Sequence, residues 1–453
     1  MGALKIFILS FCLINLAMGQ NNLIRNVRYE EDYSFLQNDS SDIYSKLKYL
    51  QVFEKGYLSL GGEVRYQIQE YKNEDWGDGP KQEYLAFYTR FLIHADLHVS
   101  GFRTFLQLNS TFSTGRPGPT RSIDENRLGF HQVFVEFNAL EKIQNQTFGI
   151  RIGRQEMKYG SERLITVREG PNNRLSFDAG KLFYYTKHIK IDAVYGRPVV
   201  IANGVFDDSI SDVKSIWTLY GVLDLGESSK LDLYYIGFEN KLASFNGYAL
   251  AKELRHSLGF RWWGAWQKLS VDLEALYQFG DFGDQSINAY TASAYILYTL
   301  HEVKAKPRFG LKTEVISGDK LRTDQQLNTF NPMFPRGAYF GLAAIIGPVN
   351  LIDLHPSFEF NLSSQIAFSM DYDLFWRYSN TDGIYGPNVI LLYTAQSKES
   401  KIGNQLGVNL EYSPNGSLSI VPEFTWFHAR EYLKEVGSGK DILFAAVTVQ
   451  YRF

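Results

Sequence analysis

The chain has 453 residues, of which 45% are hydrophobic and 21% are charged, enough for two or three soluble domains or one very large one. The 15% aromatic content excludes a disordered chain. Lys and Arg (46) nearly balance Asp and Glu (49), so we expect no nucleic-acid partner. The only long apolar run ends at Gly19, which excludes a bundle of membrane helices, because each helix needs about 20 apolar residues.

The apolar run at the N-terminus predicts an exported protein. The apolar stretch Ile6–Leu16 follows a basic residue and precedes small residues, which is typical of a secretory signal peptide, residues 1–19, cleaved after Gly19. The alternative is a core helix, but polar sequence follows at once. Cys12 is the only cysteine and lies inside the run, so the mature chain is expected to form no disulfide.

From Gly56 onward apolar and polar residues alternate, which is the period of a β-strand. In the first such segment Leu58 and Leu60 precede an alternation of Val64 and Tyr66 with polar neighbours. The same pattern returns along the chain and ends it, from Leu443 to the terminal residue. The sequence therefore predicts an all-β protein.

The connections between these segments differ in length. We count eight short turns, one of them at residues 139–146, and nine longer loops, one of them near residues 281–287. The longer loops carry most of the Gly, Asp, Asn and Pro. This layout predicts a transmembrane antiparallel β-barrel of about 18 strands, with short periplasmic turns and long extracellular loops. The barrel would occupy residues 56–453, after an N-terminal periplasmic segment at residues 20–55. The alternative is a soluble β-sandwich, although strands of 10–13 residues are long for that fold.

Aromatic residues near the predicted strand ends favour a membrane-spanning barrel. Tyr451 and Phe453 resemble the C-terminal aromatic signature of bacterial outer-membrane barrels, so we predict that the barrel-assembly machinery binds this strand. Outer-membrane lipid is the expected surrounding. Tryptophans near strand ends are expected to form girdles at the two membrane interfaces: Trp262, Trp263, Trp266, Trp376 and Trp426.

Motifs of catalysis are absent from the sequence. It contains no G-x-S-x-G, P-loop, G-x-G-x-x-G or C-x-x-C pattern. The eight histidines are scattered singly, which favours pore-lining or interfacial positions over a metal site. We therefore expect no enzyme, no cofactor and no bound metal. An outer-membrane hydrolase using a surface Ser and His is the alternative from another class, with His355-Pro356-Ser357 as its nearest pattern.

Strand parity places basic and acidic side chains on the lumen side in nearly equal numbers. Such a mixture predicts one of two arrangements. Either ion pairs between these side chains stabilise the barrel wall, or unpaired charges at the narrowest part of the pore determine which solutes pass. Examples of the two signs are Arg90, Arg151 and Arg261 against Glu63, Glu136 and Asp272.

Two segments break the alternation. Residues 151–178 crowd Arg and Glu into a strand end and the loop beyond it. Residues 318–351 are rich in Phe and Pro and are long for a surface connection, which predicts a loop with its own fold. This loop either dips into the pore or forms an external cap.

Short motifs in these segments and near the N-terminus carry a family resemblance. They are Arg28-Tyr29-Glu30-Glu31-Asp32-Tyr33, Leu60-Gly61-Gly62-Glu63-Val64-Arg65, Gly153-Arg154-Gln155-Glu156, Tyr159-Gly160-x-x-Arg163-Leu164-Ile165, Phe177-Asp178 and Thr329-Phe330-Asn331-Pro332-x-Phe334-Pro335-Arg336-Gly337. In order and spacing they resemble the bacterial alginate export family over nearly all of the mature chain. The resemblance implies an 18-stranded outer-membrane barrel and a passive conduit for an anionic polysaccharide or oligosaccharide. It also implies periplasmic export components as partners.

The same resemblance implies which residues meet the polymer. The pore arginines expected to attract its carboxylates are Arg65, Arg154, Arg163, Arg174 and Arg336. Glu156 and Asp178 are expected to orient those arginines rather than to touch an anionic polymer. A general or substrate-selective porin for small solutes is the alternative function, because one fold serves both.

Overall fold

The computed structural model describes residues 24–38, 43–139 and 146–453. The predicted signal peptide at residues 1–19 lies outside these residues, and so does most of the short turn predicted at 139–146. Among the described residues, no helix combines the length and the apolar character needed to cross a membrane.

Eighteen antiparallel strands form one closed barrel, which confirms the predicted fold class and strand count. The strands are β1 (Gly56–Lys72), β2 (Glu83–Val99), β3 (Phe102–Thr114), β4 (Asn126–Asn138), β5 (Thr147–Gln155), β6 (Phe177–Tyr185), β7 (Ile189–Val200), β8 (Lys214–Asp224), β9 (Ser229–Ala243), β10 (Ala251–Trp266), β11 (Leu269–Phe282), β12 (Gln285–Thr299), β13 (Arg308–Ile316), β14 (Leu351–Asn361), β15 (Ile366–Arg377), β16 (Lys401–Tyr412), β17 (Leu418–Ala429) and β18 (Ile442–Arg452). Strand β1 pairs with β18, with Val64 opposite Tyr451. Closure leaves no strand edge unpaired, as a lipid environment requires.

The remaining elements are short and lie outside the barrel strands. The helices are α1 (Ile43–Lys48) and α2 (Glu431–Val436), with 3-10 turns at Arg28–Glu30, Ser34–Asn38 and Glu74–Gly77. Short strands lie at Leu50–Phe53, Ser209–Ile210, Gln326–Leu327, Ile384–Tyr385 and Leu391–Tyr393.

Short turns gather at one end of the barrel and the longer loops at the other, as predicted. Two boundaries differ from the prediction. The connection expected near residues 281–287 is a two-residue turn, in which Gly283 adopts a positive φ of 55°. Phe177 and Asp178, which we assigned to a loop, begin β6.

Outward-facing residues of the strands are apolar and inward-facing ones are polar. Ile93 on β2 is 62% exposed, whereas its neighbour His94 is buried. Trp262 and Trp266 share a face and lie in ring contact, with centroids 5.4 Å apart. Trp263 does not belong to the expected girdle: its indole donates to Asp232 across the lumen face, because consecutive strand residues point to opposite sides.

The N-terminal segment packs against the short-turn end of the barrel. Arg28 is buried and donates from its guanidinium to the main-chain oxygens of Gly62 (3.1 Å) and Phe453 (2.8 Å). Gly62 and Phe453 face each other across the closure seam, where they also exchange two main-chain hydrogen bonds. The ring of Tyr29 packs edge-on against Phe134. The segment therefore covers the seam between β1 and β18 from the inside.

Candidate functional site

The loop between β5 and β6, residues 156–176, is called loop A and lies inside the barrel. Its residues contact inward-facing side chains on strands around the circumference: Arg65 of β1, Arg90 of β2, Asn109 of β3, Glu274 of β11, Glu314 of β13 and Gln450 of β18. A loop that lay over the outside could not reach strands on opposite sides of the lumen. Loop A therefore crosses the pore.

Arg65 anchors the main chain of loop A. Its guanidinium donates to the main-chain oxygens of Glu169 and Pro171, both at 2.8 Å, and to that of Gly170 at 3.3 Å. Asn172 adds a side-chain hydrogen bond to the main-chain oxygen of Asp124. The planar guanidinium suits this task because its donors fan out in a fixed geometry.

An ion-pair network fixes the two ends of loop A to each other. Arg174 pairs with Glu156 (2.6 Å) and with Glu169 (2.5 Å), and His131 of β4 also contacts Glu156 (2.8 Å). Burial alone would raise the pKa of Glu169, but Arg174 and Arg90 hold it well below its usual range. Glu156 thus contacts Arg174, and its expected role of orienting an arginine toward a polymer stays a prediction.

The loop between β13 and β14, residues 317–350, is called loop B and also enters the lumen. The amide of Asn331 donates to Glu253 of β10 at 3.0 Å. At the other side of the barrel, the main-chain nitrogen of Leu342 donates to Glu423 of β17 at 2.9 Å. Of the two placements that the sequence left open, the structure shows the loop within the pore and not an external cap.

Loops A and B meet in the middle of the lumen. The main-chain nitrogen of Phe334 donates to the oxygen of Leu164 at 3.0 Å, and Ile165, which is fully buried, forms an isolated parallel bridge with Phe334. The ring of Phe334 packs edge-on against Phe177 of β6. This apolar junction therefore joins the two loops to each other and to β6.

Two open spaces of the lumen border the loops. The vestibule, about 290 Å³, lies toward the long loops and is lined by Tyr71, Arg116, Arg121, Arg168, Pro171 and Ala343 among others. The chamber, about 780 Å³, lies toward the short turns and is lined by Tyr29, Arg151, Met157, Lys181, Asp192 and Trp263 among others. The two spaces share no lining residue.

Most lumen charges are paired within the protein, as one of the two sequence interpretations expected. Arg90 pairs with Glu63 at 2.6 Å, and Arg151 donates to Glu136 at 2.7 Å. In the chamber, Lys181 pairs with Asp192 at 2.6 Å. These contacts brace the wall and leave few charges free for a solute.

The five arginines implied by the family resemblance lie in different surroundings. Arg65 and Arg174 hold loop A as described. Arg154 forms a two-pronged pair with Asp178, with both N–O distances at 3.0 Å. Arg163 contacts both Glu274 and Glu314. Arg336 is exposed and makes no ion pair with a described residue. The structure does not bring the five together at one point.

Arg168 stands out among the vestibule arginines, and it was not among our candidates. Arg116 pairs with Glu74 and Arg121 with Asp124, but no described carboxylate lies within ion-pair distance of Arg168. Burial lowers the pKa of Arg168 to about 10, and no neighbouring anion offsets this effect. Its backbone adopts a positive φ of 55°. The only sequence signal for it was the density of charges in the segment.

Comparison with known proteins places this barrel in a family. The sequence profile described as alginate export matches residues 56–439. The chain belongs to the alginate export family. No curated protein sequence matches it. The match spans every barrel strand except the last, so the family assignment covers both inserted loops.

Solved structures similar to this family member are outer-membrane barrels. The outer membrane protein OprD from Pseudomonas aeruginosa matches with a TM-score of 0.57 and 13% identity, covering 90% of this chain and 96% of that one. OccD3 (OpdP) of the same organism matches with a TM-score of 0.57 and 11% identity, over 87% and 91% of the two chains. OccAB2 of Acinetobacter baumannii matches with a TM-score of 0.56 and 10% identity, over 87% and 98%.

Fold and family together locate the protein in the bacterial outer membrane, where it is a porin-like channel. The family and the fold are those of transport channels. The histidine of the pattern that suggested a hydrolase, His355, faces Asp373.

Proposed function

We propose that the channel passes an anionic polysaccharide or oligosaccharide, and that Arg168 is the group that meets its carboxylates. The observation that carries the proposal is the uncompensated guanidinium of Arg168 on the vestibule wall. A desolvated cation without a carboxylate is stabilised by an anion that reaches it, and a guanidinium pairs with a carboxylate through two parallel hydrogen bonds. Membership of the alginate export family supports a uronate-containing cargo.

Arg336 provides a second contact beside the first. It follows Pro335, whose main-chain oxygen accepts a hydrogen bond from Arg168 at 3.3 Å, so the two arginines belong to the same loop junction. Two cations at one junction suit a polymer with a carboxylate on each sugar unit. Contact of a polymer with Arg65, Arg154, Arg163 and Arg174 stays a prediction, since each of these already has acceptors within the protein.

The open space around Arg168 also suits a sugar ring. Tyr71, Tyr84 and Tyr88 line the same vestibule, and aromatic faces offer apolar contact to the C–H faces of a sugar. A positive charge beside aromatic rings is the arrangement expected of a site that binds successive sugar units of a polymer weakly, one after another. Periplasmic export components and the assembly machinery remain proposed partners of the barrel.

A small-solute porin is the second candidate, and one observation favours it. Loops A and B meet in mid-lumen, and the vestibule and the chamber share no lining residue. A polymer needs a continuous passage through the lumen. If loops A and B stay joined during transport, a polymer cannot pass and the channel serves small solutes. A small anion could then use Arg168 without a polymer ever passing.

Current recordings in planar bilayers separate the two functions. We expect uronate oligomers to block the wild-type current at lower concentration than neutral oligosaccharides of the same length, with the block growing as the oligomer lengthens. Export of a polymer is contradicted if the block depends on neither charge nor length. A block by uronate monomers that does not strengthen with length supports the small-solute porin.

A further inference from the structure

Three side chains that commonly bind metals converge on the lumen side of β14 and β15. Asp353 and His355 lie two residues apart on β14, so they share a face of the sheet, and Asp373 lies on the neighbouring strand. One oxygen or nitrogen atom from each side chain lies within 4.8 Å of the other two. Small side-chain rotations bring such atoms to the 2.0–2.2 Å that a bound zinc ion requires.

Asp353 is a fully buried carboxylate without a donor. Its exposure is 0%, and neither of its oxygens accepts a hydrogen bond from a described residue. Isolating a charged carboxylate in this way is unfavourable. The facing atoms of His355 (Nδ1) and Asp373 (Oδ1) lie 2.5 Å apart but do not meet in hydrogen-bond geometry. The side chain of Asp353 thus lacks a hydrogen-bond or ion-pair partner among the described residues, whereas His355 and Asp373 contact each other.

The cationic side chains beside the cluster pair with a carboxylate outside it. Lys312 pairs with Glu314 at 2.7 Å, and Arg163 pairs with the same carboxylate, which lies opposite Asp353 in the strand pairing. Asp371 and Asp373 have ion-pair contacts with His355 alone among the described residues, and Asp353 has none. A divalent cation supplies the positive charge that these carboxylates are missing.

We propose that Asp353, His355 and Asp373 bind a divalent transition-metal ion, for which Zn²⁺ is the probe. An imidazole nitrogen with two carboxylates suits zinc and its neighbours, whereas Ca²⁺ and Mg²⁺ prefer six or more oxygen ligands. Three protein ligands leave a fourth position for water. The side chains of His355 (18% exposed) and Asp371 (28% exposed) open toward the lumen, which gives the ion a route in.

The position of the cluster connects it to loop B. Gln405 donates from its amide to Asp373 at 3.1 Å and to the main-chain oxygen of Phe340 at 2.5 Å. Phe340 in turn packs against Phe375, with ring centroids 4.9 Å apart. An ion that fixes the carboxylate of Asp373 therefore also holds the residues that support loop B against the barrel wall.

Metal titration of the purified full-length barrel in detergent tests the proposal. After treatment with EDTA and its removal, we expect the wild type to bind one equivalent of Zn²⁺ by calorimetry, and Co²⁺ to produce visible absorption. Asp353→Asn and His355→Gln should weaken Zn²⁺ binding at least tenfold. His428→Gln is the matched control, because His428 also faces a carboxylate, Asp441 at 2.9 Å, but outside the cluster. Ca²⁺ in excess should not displace the zinc.

The wild-type stoichiometry decides the question even if a variant folds poorly. Folding of each variant is checked by the shift of its gel mobility on boiling. Less than one tenth of an equivalent of Zn²⁺ on the folded wild type overturns the proposal. Equal loss of binding in His355→Gln and His428→Gln overturns it too, since binding would then follow any histidine. Neither result bears on the block by uronate oligomers, which tests the proposed function separately.

Discussion

Arg168 in loop A donates from its Nε to the main-chain oxygen of Pro335 in loop B, at 3.3 Å. This hydrogen bond joins the two inserted loops at the vestibule wall and orients a guanidinium that has no carboxylate partner among the described residues. The same junction thus determines both the shape of the passage and the position of its free positive charge.

Arg65→Lys should loosen loop A and widen the passage. The guanidinium of Arg65 reaches three successive main-chain oxygens of the loop, and a single ammonium group cannot span them. We expect a larger and noisier single-channel current in planar bilayers. Arg127→Lys, at an exposed position on β4, serves as the control. A trace for Arg65→Lys that matches the wild type would show that this anchor does not hold the loop.

Glu156→Gln should destabilise the barrel. The carboxylate of Glu156 pairs with the buried Arg174 and contacts His131. The substitution removes this negative charge and leaves Arg174 with Glu169 as its remaining carboxylate partner. Breaking such a pair costs about 3–5 kcal/mol. The measurement is the temperature at which the folded band is lost on a gel. Glu83→Gln, in an exposed pair with Lys72, should leave that temperature near the wild-type value. Similar temperatures for both variants would contradict the role of Glu156.

Docking of the N-terminal segment should strengthen as the pH rises above neutrality. Burial, with Arg28 nearby, lowers the pKa of Lys48 to about 7 from an ordinary 10.5, although Glu31 and Asp96 oppose the shift. Between pH 7 and about 10.5, Lys48 is therefore mostly protonated when undocked and mostly neutral when docked. Docking becomes more stable as the pH rises through this range, and below pH 7 it carries the full cost of burying the charged lysine.

Chymotryptic cleavage at the exposed Phe35 measures this docking. We expect slower cleavage at pH 9 than at pH 6, after correction for the pH dependence of the protease on an unfolded substrate. Lys48→Met should remove the difference, because its side chain has no charge to bury. A wild type with a flat profile would show that Lys48 keeps its proton when docked.

Deletion of Phe453 should lower the yield of folded barrel. Phe453 exchanges two main-chain hydrogen bonds with Gly62 across the closure seam, and its oxygen also accepts from Arg28. The deletion removes these contacts and the proposed recognition signal for the assembly machinery. The folded fraction on unboiled gels measures the effect, and Phe453→Tyr, which keeps the ring and the main chain, should behave as wild type. Equal folded fractions across expression levels would count against both roles of this residue.

The sequence predicted the barrel because strand alternation is a local signal. Each strand shows its two faces within a few residues, so the strand count and the turn pattern could be obtained without knowing which strands pair. Trp263 shows where the interpretation failed: its position near a strand end suggested a girdle, yet its parity relative to Trp262 turns it into the lumen.

The paths of loops A and B and the pairing of their charges could not be predicted from the sequence. Arg163 and Arg168 are the same residue type in one segment, but Arg163 contacts Glu314, 151 residues away, and Arg168 contacts no carboxylate among the described residues. The difference in ion pairing between Arg163 and Arg168 depends on strand register and loop path together. The cluster of Asp353 with Asp373 was missed for the same reason, since it exists only once two strands are in register.

The central claim is that the free guanidinium of Arg168 attracts the carboxylates of the cargo. The most direct test compares the current block by a uronate oligomer in the wild type, in Arg168→Gln and in Arg322→Gln. Arg322 is an exposed arginine of loop B that stacks on Tyr248, so its replacement removes one positive charge away from the vestibule.

Loss of a charge-assisted contact is worth about 1.5–3 kcal/mol, so Arg168→Gln should raise the blocking concentration of uronate about tenfold or more. Arg322→Gln should change it little, a neutral oligosaccharide should block all three proteins alike, and the difference should shrink at 1 M salt. Equal blocking concentrations for the wild type and Arg168→Gln at low salt would contradict the account.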